Sequence, residues 1–416
     1  MSRADYDVLI IGGGVAGLAC AAVLAARLRG RRAPVRIGVV EAKPPPAPEA
    51  GAGPGLRVLA IAPAARALLA ECGAWACLPD GMAAPYERMR VWASTGTPFG
   101  SDSIGFDAAE AGLEYLGHIV DHDSLRACLW DRVAGDAGIE LLTGTAPDGL
   151  EDSGEARVVR LGDGVRLRTR LLVGADGAES WVRMGLGLGT TGRSYGQLAI
   201  IGHVASERPH GGTAWQCFNP GGPAALLPLA DGRSSIVWSC PEAEARKLVD
   251  VPEDEFAARL GAATCRVLGA LTVTTPRLAV PLAVRHTHRY TGARFALVGD
   301  AAHQIHPLAG QGINLGLGDV DVLAAVLADH LGSTRFADPG DALVLRRYER
   351  ARKGANLLTM AAMEGLHRVF TSDLPVLGRM AATGLGIVDR LPAVKRLLTA
   401  RATGDARRPG RDDAAL

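Results

Sequence analysis

Gly12, Gly14 and Gly17 stand in the spacing GxGxxG, directly after a β-branched run (Val8 to Ile11) and directly before an alanine- and leucine-rich stretch. A strand, a tight turn and a helix in that order bind anions. The first glycine permits the turn, the second lets the backbone approach a pyrophosphate, the third lets helix and strand pack closely, and the helix N-terminus presents unpaired N–H groups. Glu41 ends the next apolar run, Val35 to Glu41. A carboxylate there accepts hydrogen bonds from an adenosine ribose and repels a 2′-phosphate, so FAD or NAD is expected over NADP. The same spacing recurs at Gly187, Gly189 and Gly192, but no strand leads into it and Arg193-Ser194-Tyr195-Gly196 does not continue as a helix. It is expected to be a loop. A second cofactor such as a nicotinamide would then bind without a fingerprint of its own.

The elements that must hold this turn follow from composition. Val8 to Ile11 and Val35 to Glu41 are strands with a helix between them, a βαβ unit. Lys43 to Gly55 carries five prolines and reads as a surface loop. Ala64 to Leu69 and Ser124 to Ala134 read as helices, and Arg157 to Arg160 with Val165 to Val173 as a hairpin ending in Gly174-Ala175-Asp176-Gly177. From about Tyr195 to Pro281 the chain turns strand-rich: Leu198 to Val204, Thr213 to Phe218, Ala224 to Leu229 and Ser234 to Ser239, separated by Gly, Pro and Asp. Dinucleotide-fold grammar returns at Arg294 to Val298, followed by Gly299-Asp300, and the remainder is mostly helical.

Two further blocks carry the chemistry: Gly174-Ala175-Asp176-Gly177 through Arg183, and Gly299-Asp300-Ala301-Ala302-His303 followed by Pro307, Gly310-Gln311-Gly312 and Asn314. With the N-terminal glycines, they resemble the three fingerprints of the class A flavoprotein monooxygenases, the p-hydroxybenzoate hydroxylase fold. The segments Leu116 to Val120, Thr213 to Gln216, Ser234 to Ser239 and His306 to Gly316 are similar to those of the ubiquinone-biosynthesis hydroxylases, which hydroxylate the ring of polyprenylated phenols. The resemblance runs from about Tyr6 to Leu398. It implies an α/β fold with a Rossmann-type FAD-binding domain (1–80, 110–190 and 285–335), an inserted β-sheet substrate domain (81–109 and 191–284), C-terminal helices (336–400) and a disordered tail (401–416). It implies FAD as cofactor, NAD(P)H or a protein electron donor as reductant, O2 as co-substrate, and delivery of oxygen to an electron-rich phenol from a flavin C4a-hydroperoxide.

The resemblance also implies cofactor-binding roles. Asp300 would take hydrogen bonds from the ribityl hydroxyls, against a plain N-cap reading. The helix begun by Gly310, Gly312 and Asn314 would turn its positive end toward the pyrimidine edge of the flavin, with Pro307 and Gly299 in the same blocks. Asp176 would link the flavin and nicotinamide sites, or else simply form an Asp-Gly turn. Arg57 and Arg126 match positions that approach the flavin and its diphosphate, and either is otherwise a surface arginine. The chain departs from the family at Gly55, often acidic there, and at Asp121-His122, commonly Glu-Asn. A flavin-binding scaffold without turnover, or another flavoenzyme of the same fold, is the alternative reading. A halogenase is disfavoured because Trp-x-Trp-x-Ile-Pro is missing.

His286, His288, His303 and His306 lack the clustered partners of a metal site and are expected in packing or hydrogen-bond roles. Among 416 residues, Lys+Arg 45 against Asp+Glu 44 leaves a net charge of +1, which removes a bulk nucleic-acid binder, and 48% hydrophobic residues exclude a disordered chain. The seven cysteines are scattered without a CxxC pair and read as reduced thiols of a cytoplasmic protein. Val8 to Ala26 is long and apolar enough to suggest a membrane span, but its three consecutive glycines argue for a strand, a turn and a helix. The stretch Leu374 to Ala400, with Arg379, Arg390, Lys395 and Arg396 as cations, either packs on the core or touches a lipid interface or another ubiquinone-biosynthesis protein. Contact with the inner membrane is expected to be peripheral at most.

Overall fold

The computed structural model describes residues 4–30, 34–46, 53–306, 310–333, 337–370 and 383–404. The first β-branched run forms the strand Tyr6–Ile11 and the alanine-rich stretch after the glycines forms the helix Val15–Leu28, so the apolar segment does not run as one helix. Five strands lie parallel in the spatial order Phe295–Leu297, Arg166–Gly174, Tyr6–Ile11, Ile37–Glu41 and Ile139–Thr143. A strand covered on both faces must be apolar throughout, and Val8, Leu9 and Ile10 in the central strand are fully buried. Their core includes Leu18 and Leu24 of the first helix, Leu317 and Leu323 of the helix Gln311–Ser333, and Tyr348 of the helix Ala342–Phe370. Gln311–Ser333 has the length and composition of a membrane span, yet here it is a core helix, since Leu317, Val320, Leu323 and Ala324 are all completely buried.

The register decides where the motifs meet. Ile11 lies opposite Gly174, and Gly174 lies opposite Leu297. Three blocks far apart in sequence therefore leave the sheet at the same carboxyl edge, where ligands of open α/β sheets bind.

A second sheet of nine strands stands beside the first. Its order is His303–Gln304, Leu278–Thr287, Thr190–Ser206, Ser234–Pro241, Gly222–Pro228, Thr213–Asn219, Arg88–Ala93 and Ser103–Asp107, with Leu271–Val273 pairing off Thr190–Ser206. The strand that begins at Thr190 corrects one expectation: the second GxGxxG is only partly a loop. Thr190, Thr191 and Gly192 pair with Thr287, His286 and Arg285. A Cβ on Gly192 would lie 2.2 Å from the Val284 carbonyl oxygen, so this glycine serves close strand approach and not a ligand. Two helices, Glu242–Asp250 and Glu253–Ala263, cover one face of the sheet by packing Leu248, Phe256 and Leu260 on Leu198, Ile200 and Trp238.

A three-stranded sheet joins Ala83–Tyr86 and Val58–Ile61 to Gly117–Asp121. Residues 83–86 thus pair with segments expected in the cofactor domain, not with the substrate sheet. The helix Pro392–Thr403 runs past the expected start of the disordered tail at 401 and ends on Gly404, whose left-handed conformation (φ 76°) closes it. The rest of that tail lies outside the described residues.

Candidate functional site

Each glycine of the turn has its own steric reason. Gly12 has φ +111°, and a Cβ there would lie 2.4 Å from the Ala175 carbonyl oxygen, because the Asp176 loop leaves the adjacent strand at the same level. A Cβ on Gly17 would lie 1.9 Å from the Gly12 carbonyl oxygen. Gly14 meets nothing within 4 Å, and no side chain caps the helix it begins. The middle glycine therefore faces open space at a bare helix N-terminus, which is the place a pyrophosphate requires.

Glu41 ends its strand beside this turn. Gly13 N–H donates to its Oε2 at 2.6 Å and Lys43 N–H to its Oε1 at 2.9 Å. Arg126, on the helix His122–Ala134, braces both sides: its Nε donates to the Gly13 carbonyl at 2.8 Å and its Nη2 to the Lys43 carbonyl at 2.7 Å, with Glu41 Oε1 3.8 Å away. Asp121 caps that helix through Ser124 N–H and holds Gly55 N–H with its other oxygen, at 2.7 and 2.8 Å. The departures from the family pattern at Gly55 and Asp121 thus meet in one contact.

Gly299 and Asp300 form a single turn after the strand Phe295–Leu297. Asp300 is exposed, yet enough protein surrounds it that desolvation raises its carboxyl from the usual range, with the charges of His303 and Arg57 acting the other way. An accessible carboxylate in a walled cleft suits a polar ligand lying over it. Gly299, at φ +60°, lets Ala16 and Gly316 close on the turn, which brings the helices Val15–Leu28 and Gln311–Ser333 together behind it. Arg57 is exposed near this carboxylate, and its carbonyl accepts from His122 N–H at 3.0 Å, at the start of the helix that carries Arg126.

Like Arg126, two further expected ligand residues spend their side chains on protein. Asn314 accepts from Ala62 N–H at 2.8 Å and donates to the Ala60 and Gly310 carbonyls at 2.8 and 3.1 Å, pinning the strand Val58–Ile61 to the first turn of the helix. Gly310, at φ +63°, makes room for Ala60 in that joint, and Gly312 stands beside Ile305. Asp176 accepts from the Ser180 hydroxyl at 2.5 Å and from Val182 N–H at 3.0 Å, so its carboxylate holds the start of the helix Trp181–Gly185. Pro307 lies outside the described residues.

Beneath the Asp300 turn is a network that sequence reasoning missed. Asp319 is fully buried, and its Oδ2 accepts from His303 Nε2–H at 2.5 Å and Gly299 N–H at 3.2 Å. Its Oδ1 accepts from Arg352 Nε at 2.8 Å and from Asn356 Nδ2 at 3.0 Å. Burial alone would raise this carboxyl, but the His303 and Arg352 partners overcome it and hold it down at about 2. Arg183, 4% exposed, ties two fingerprints together by donating to the Ala178 and Ala301 carbonyls at 2.6 and 3.1 Å. An acidic residue inside the apolar run Leu315 to Leu327 was the available signal for Asp319. Arg352 and Asn356 gave none, because one helix turn of separation only places them on a common face.

The nine-stranded sheet supplies the opposite wall. His203 Nε2–H donates to the Gly55 carbonyl at 2.9 Å, which shows the face that looks toward the cofactor edge. On that face the register aligns Ile201, Val237, Ala225 and Gln216 across four strands, and Val91 on the next strand packs in a cluster with Phe218 and Phe370. A row of small apolar side chains with one amide offers a flat surface to an aromatic ring.

A dinucleotide laid from Glu41 across the Gly14 turn toward Asp300 fits this edge, and the second sheet closes over its far end, an architecture of flavin-dependent enzymes. The chain belongs to the FAD-dependent hydroxylases of ubiquinone biosynthesis, and residues 136–356 match the FAD binding domain family. It is similar to the ubiquinone hydroxylase UbiL of Rhodospirillum rubrum, with 36% identity over 96% of this chain and 89% of that protein. It is 33% identical to the 3-demethoxyubiquinol 3-hydroxylase of Escherichia coli, over 95% and 98% of the two chains. In three dimensions it resembles PqsL of Pseudomonas aeruginosa, solved in complex with 2-aminobenzoylacetate, with a TM-score of 0.72 at 26% identity over 91% and 99% of the chains.

Proposed function

We propose that this chain is an FAD-dependent monooxygenase that hydroxylates the ring of a polyprenylated phenol in ubiquinone biosynthesis. The observation that carries the reading is the convergence of three distant blocks at one sheet edge, facing a flat apolar sheet. Bound FAD supplies the redox chemistry that activates O2, using electrons from NAD(P)H or a protein donor. The chain's own residues bind, orient and exclude water. The Gly14 turn takes the pyrophosphate, Glu41 the adenosine ribose and Asp300 the ribityl hydroxyls. The N-terminal end of the helix Gln311–Ser333 stabilises negative charge on the adjoining ring edge. Arg126 holds the glycine turn against the segment after Glu41, and Asn314 holds the helix start against the strand Val58–Ile61.

The helix Pro392–Thr403 supports contact with the membrane that stores such a substrate. It turns its polar side inward, with Thr399 and Thr403 buried and Lys395 paired to Glu110 and Asp389 at 3.0 and 3.2 Å. Val394, Leu397 and Leu398 face outward near the exposed Ile387 and Leu391. Lys395, one of the cations of the stretch Leu374 to Ala400, is therefore spent inside the fold, and the apolar side does the docking.

The test is oxygen uptake by the FAD-loaded protein with a short-tailed phenol. Hydroxylated product in one-to-one ratio with oxygen supports the enzyme, and flavin binding without turnover under any reductant leaves the scaffold. Rescue of ubiquinone-deficient bacterial mutants then identifies the ring position.

A further inference from the structure

Buried polar groups in native proteins have partners, and an exception calls for an explanation. His306 is 1% exposed, and among the described residues neither of its ring nitrogens has a hydrogen-bond partner. Four other buried histidines differ: His203 bonds the Gly55 carbonyl, His286 the Tyr290 hydroxyl, His303 Asp319, and His367 the Gln197 amide oxygen, while His118 sits against the Trp75 and Tyr115 rings with Nδ1 unpaired among the described residues. The neighbours of His306 are already occupied. Tyr195 stands edge-on at 5.0 Å between centroids but donates its hydroxyl to Glu364 at 2.7 Å. His367 lies at 4.7 Å, and Glu364 is ion-paired with Arg193 and Arg368.

His306 follows the strand His303–Gln304, which pairs with Arg285 and His286 of the substrate sheet, and precedes the helix Gln311–Ser333. It thus stands at the seam between the Asp300 turn and the wall against which a ring substrate would lie. Burial and the charge of His367 push its pKa down to about 3, so the imidazole is neutral at working pH and presents one donor and one acceptor. A neutral imidazole offers nothing special to a carboxylate. It complements a hydroxyl, which both donates and accepts.

We propose that His306 is the substrate-binding residue that takes the ring hydroxyl of the phenol, accepting its O–H on one nitrogen. This rests on the hydroxylase reading above. The contact orients the ring by its oxygen and leaves it electron-rich, selects uncharged phenols over carboxylated rings, and requires Tyr195 to turn aside as the substrate enters. No proton leaves the phenol in this step.

The test is equilibrium binding to the oxidised, FAD-loaded protein without reductant, read from the flavin absorbance, with 2-prenylphenol and its O-methyl ether. The wild type is expected to bind the phenol at least about tenfold more tightly than the ether, because the ether leaves the buried acceptor unpaired. The preference should be flat from pH 5.5 to 8, since the imidazole, facing His367, Tyr195, Glu364 and the two arginines, stays neutral. His306→Leu should bind both ligands alike, and His306→Asn, whose amide oxygen accepts an O–H, should keep part of the preference. Equal binding of phenol and ether by the wild type overturns the inference, as does a full preference in His306→Leu. If the leucine variant does not hold flavin, the asparagine variant and the wild-type ratio decide. Absence of any phenol binding by the wild type sinks the hydroxylase reading as well, whereas binding that ignores His306 sinks this inference alone.

Discussion

Replacing Asp319 by asparagine removes a charge while keeping the shape of the side chain, and the network beneath the Asp300 turn predicts the consequence. The carboxylate is fully buried and accepts four hydrogen bonds, from His303, Arg352, Asn356 and Gly299. Arg352 is only partly exposed, so losing its counter-charge leaves a guanidinium with poor solvation. Breaking a buried pair from one side costs about 3 to 5 kcal/mol. The acid behaviour gives a second route to the size: a carboxyl at about 2 against its ordinary 3.8 corresponds to roughly 2 to 3 kcal/mol. Because the folded pKa is depressed, this contribution is present above the ordinary value and disappears as pH falls through about 2. Both routes place the loss of unfolding free energy for Asp319→Asn at about 3 kcal/mol at neutral pH. Urea unfolding of the flavin-loaded protein, followed by tryptophan fluorescence, measures it. Because Gly299 N–H is one of the donors, FAD titration should also show weakened binding. An unchanged unfolding midpoint together with unchanged FAD affinity would refute the argument.

Gly14→Ala should fold normally and bind FAD at least about tenfold more weakly, since its Cβ would enter open space where the pyrophosphate lies. Gly17→Ala should instead destabilise the apoprotein, because its Cβ would overlap the Gly12 carbonyl, and comparing apoprotein melting with FAD titration separates the two. Asp300→Ala and Glu41→Ala should each weaken FAD about tenfold, from lost charge-assisted bonds of roughly 1.5 to 3 kcal/mol; full flavin content and unchanged affinity would remove those residues from the site. His118 and His286 are held down at about 4 and His306 at about 3 by burial. These rings stay neutral in the fold while the unfolded chain takes up protons below 6.5. Stability from them is therefore complete above pH 6.5 and falls as pH drops, by roughly 1.4 kcal/mol per pH unit for each ring. Unfolding midpoints flat from pH 7 to 4.5 would contradict that assignment.

What the sequence by itself determined lies within short stretches. The glycine spacing and its flanks specify a strand, a turn and a helix, because steric freedom at Gly12 and the alanine-rich run after it are local properties. Alternation and turn residues likewise made Ser234–Pro241 and Thr213–Asn219 legible as strands. The second GxGxxG shows the limit. Nothing near Gly192 says whether a partner strand will come within van der Waals reach of it, and Leu278–Thr287, which decides the matter, is about 90 residues away along the chain. Which side chains reach a ligand was hidden for the same reason. Asn314 and Asp176 sit in cofactor-binding motifs, yet the tertiary fold engages both in bonds to protein. The buried charge of Asp319 is tolerable only because His303 and Arg352 arrive from different elements, and the outward apolar side of Pro392–Thr403 exists because Lys395 and its threonines found polar partners within. Local chemistry writes the turns and the periods. Pairing register and burial, which sum interactions over the whole chain, decide which polar groups remain free to do chemistry.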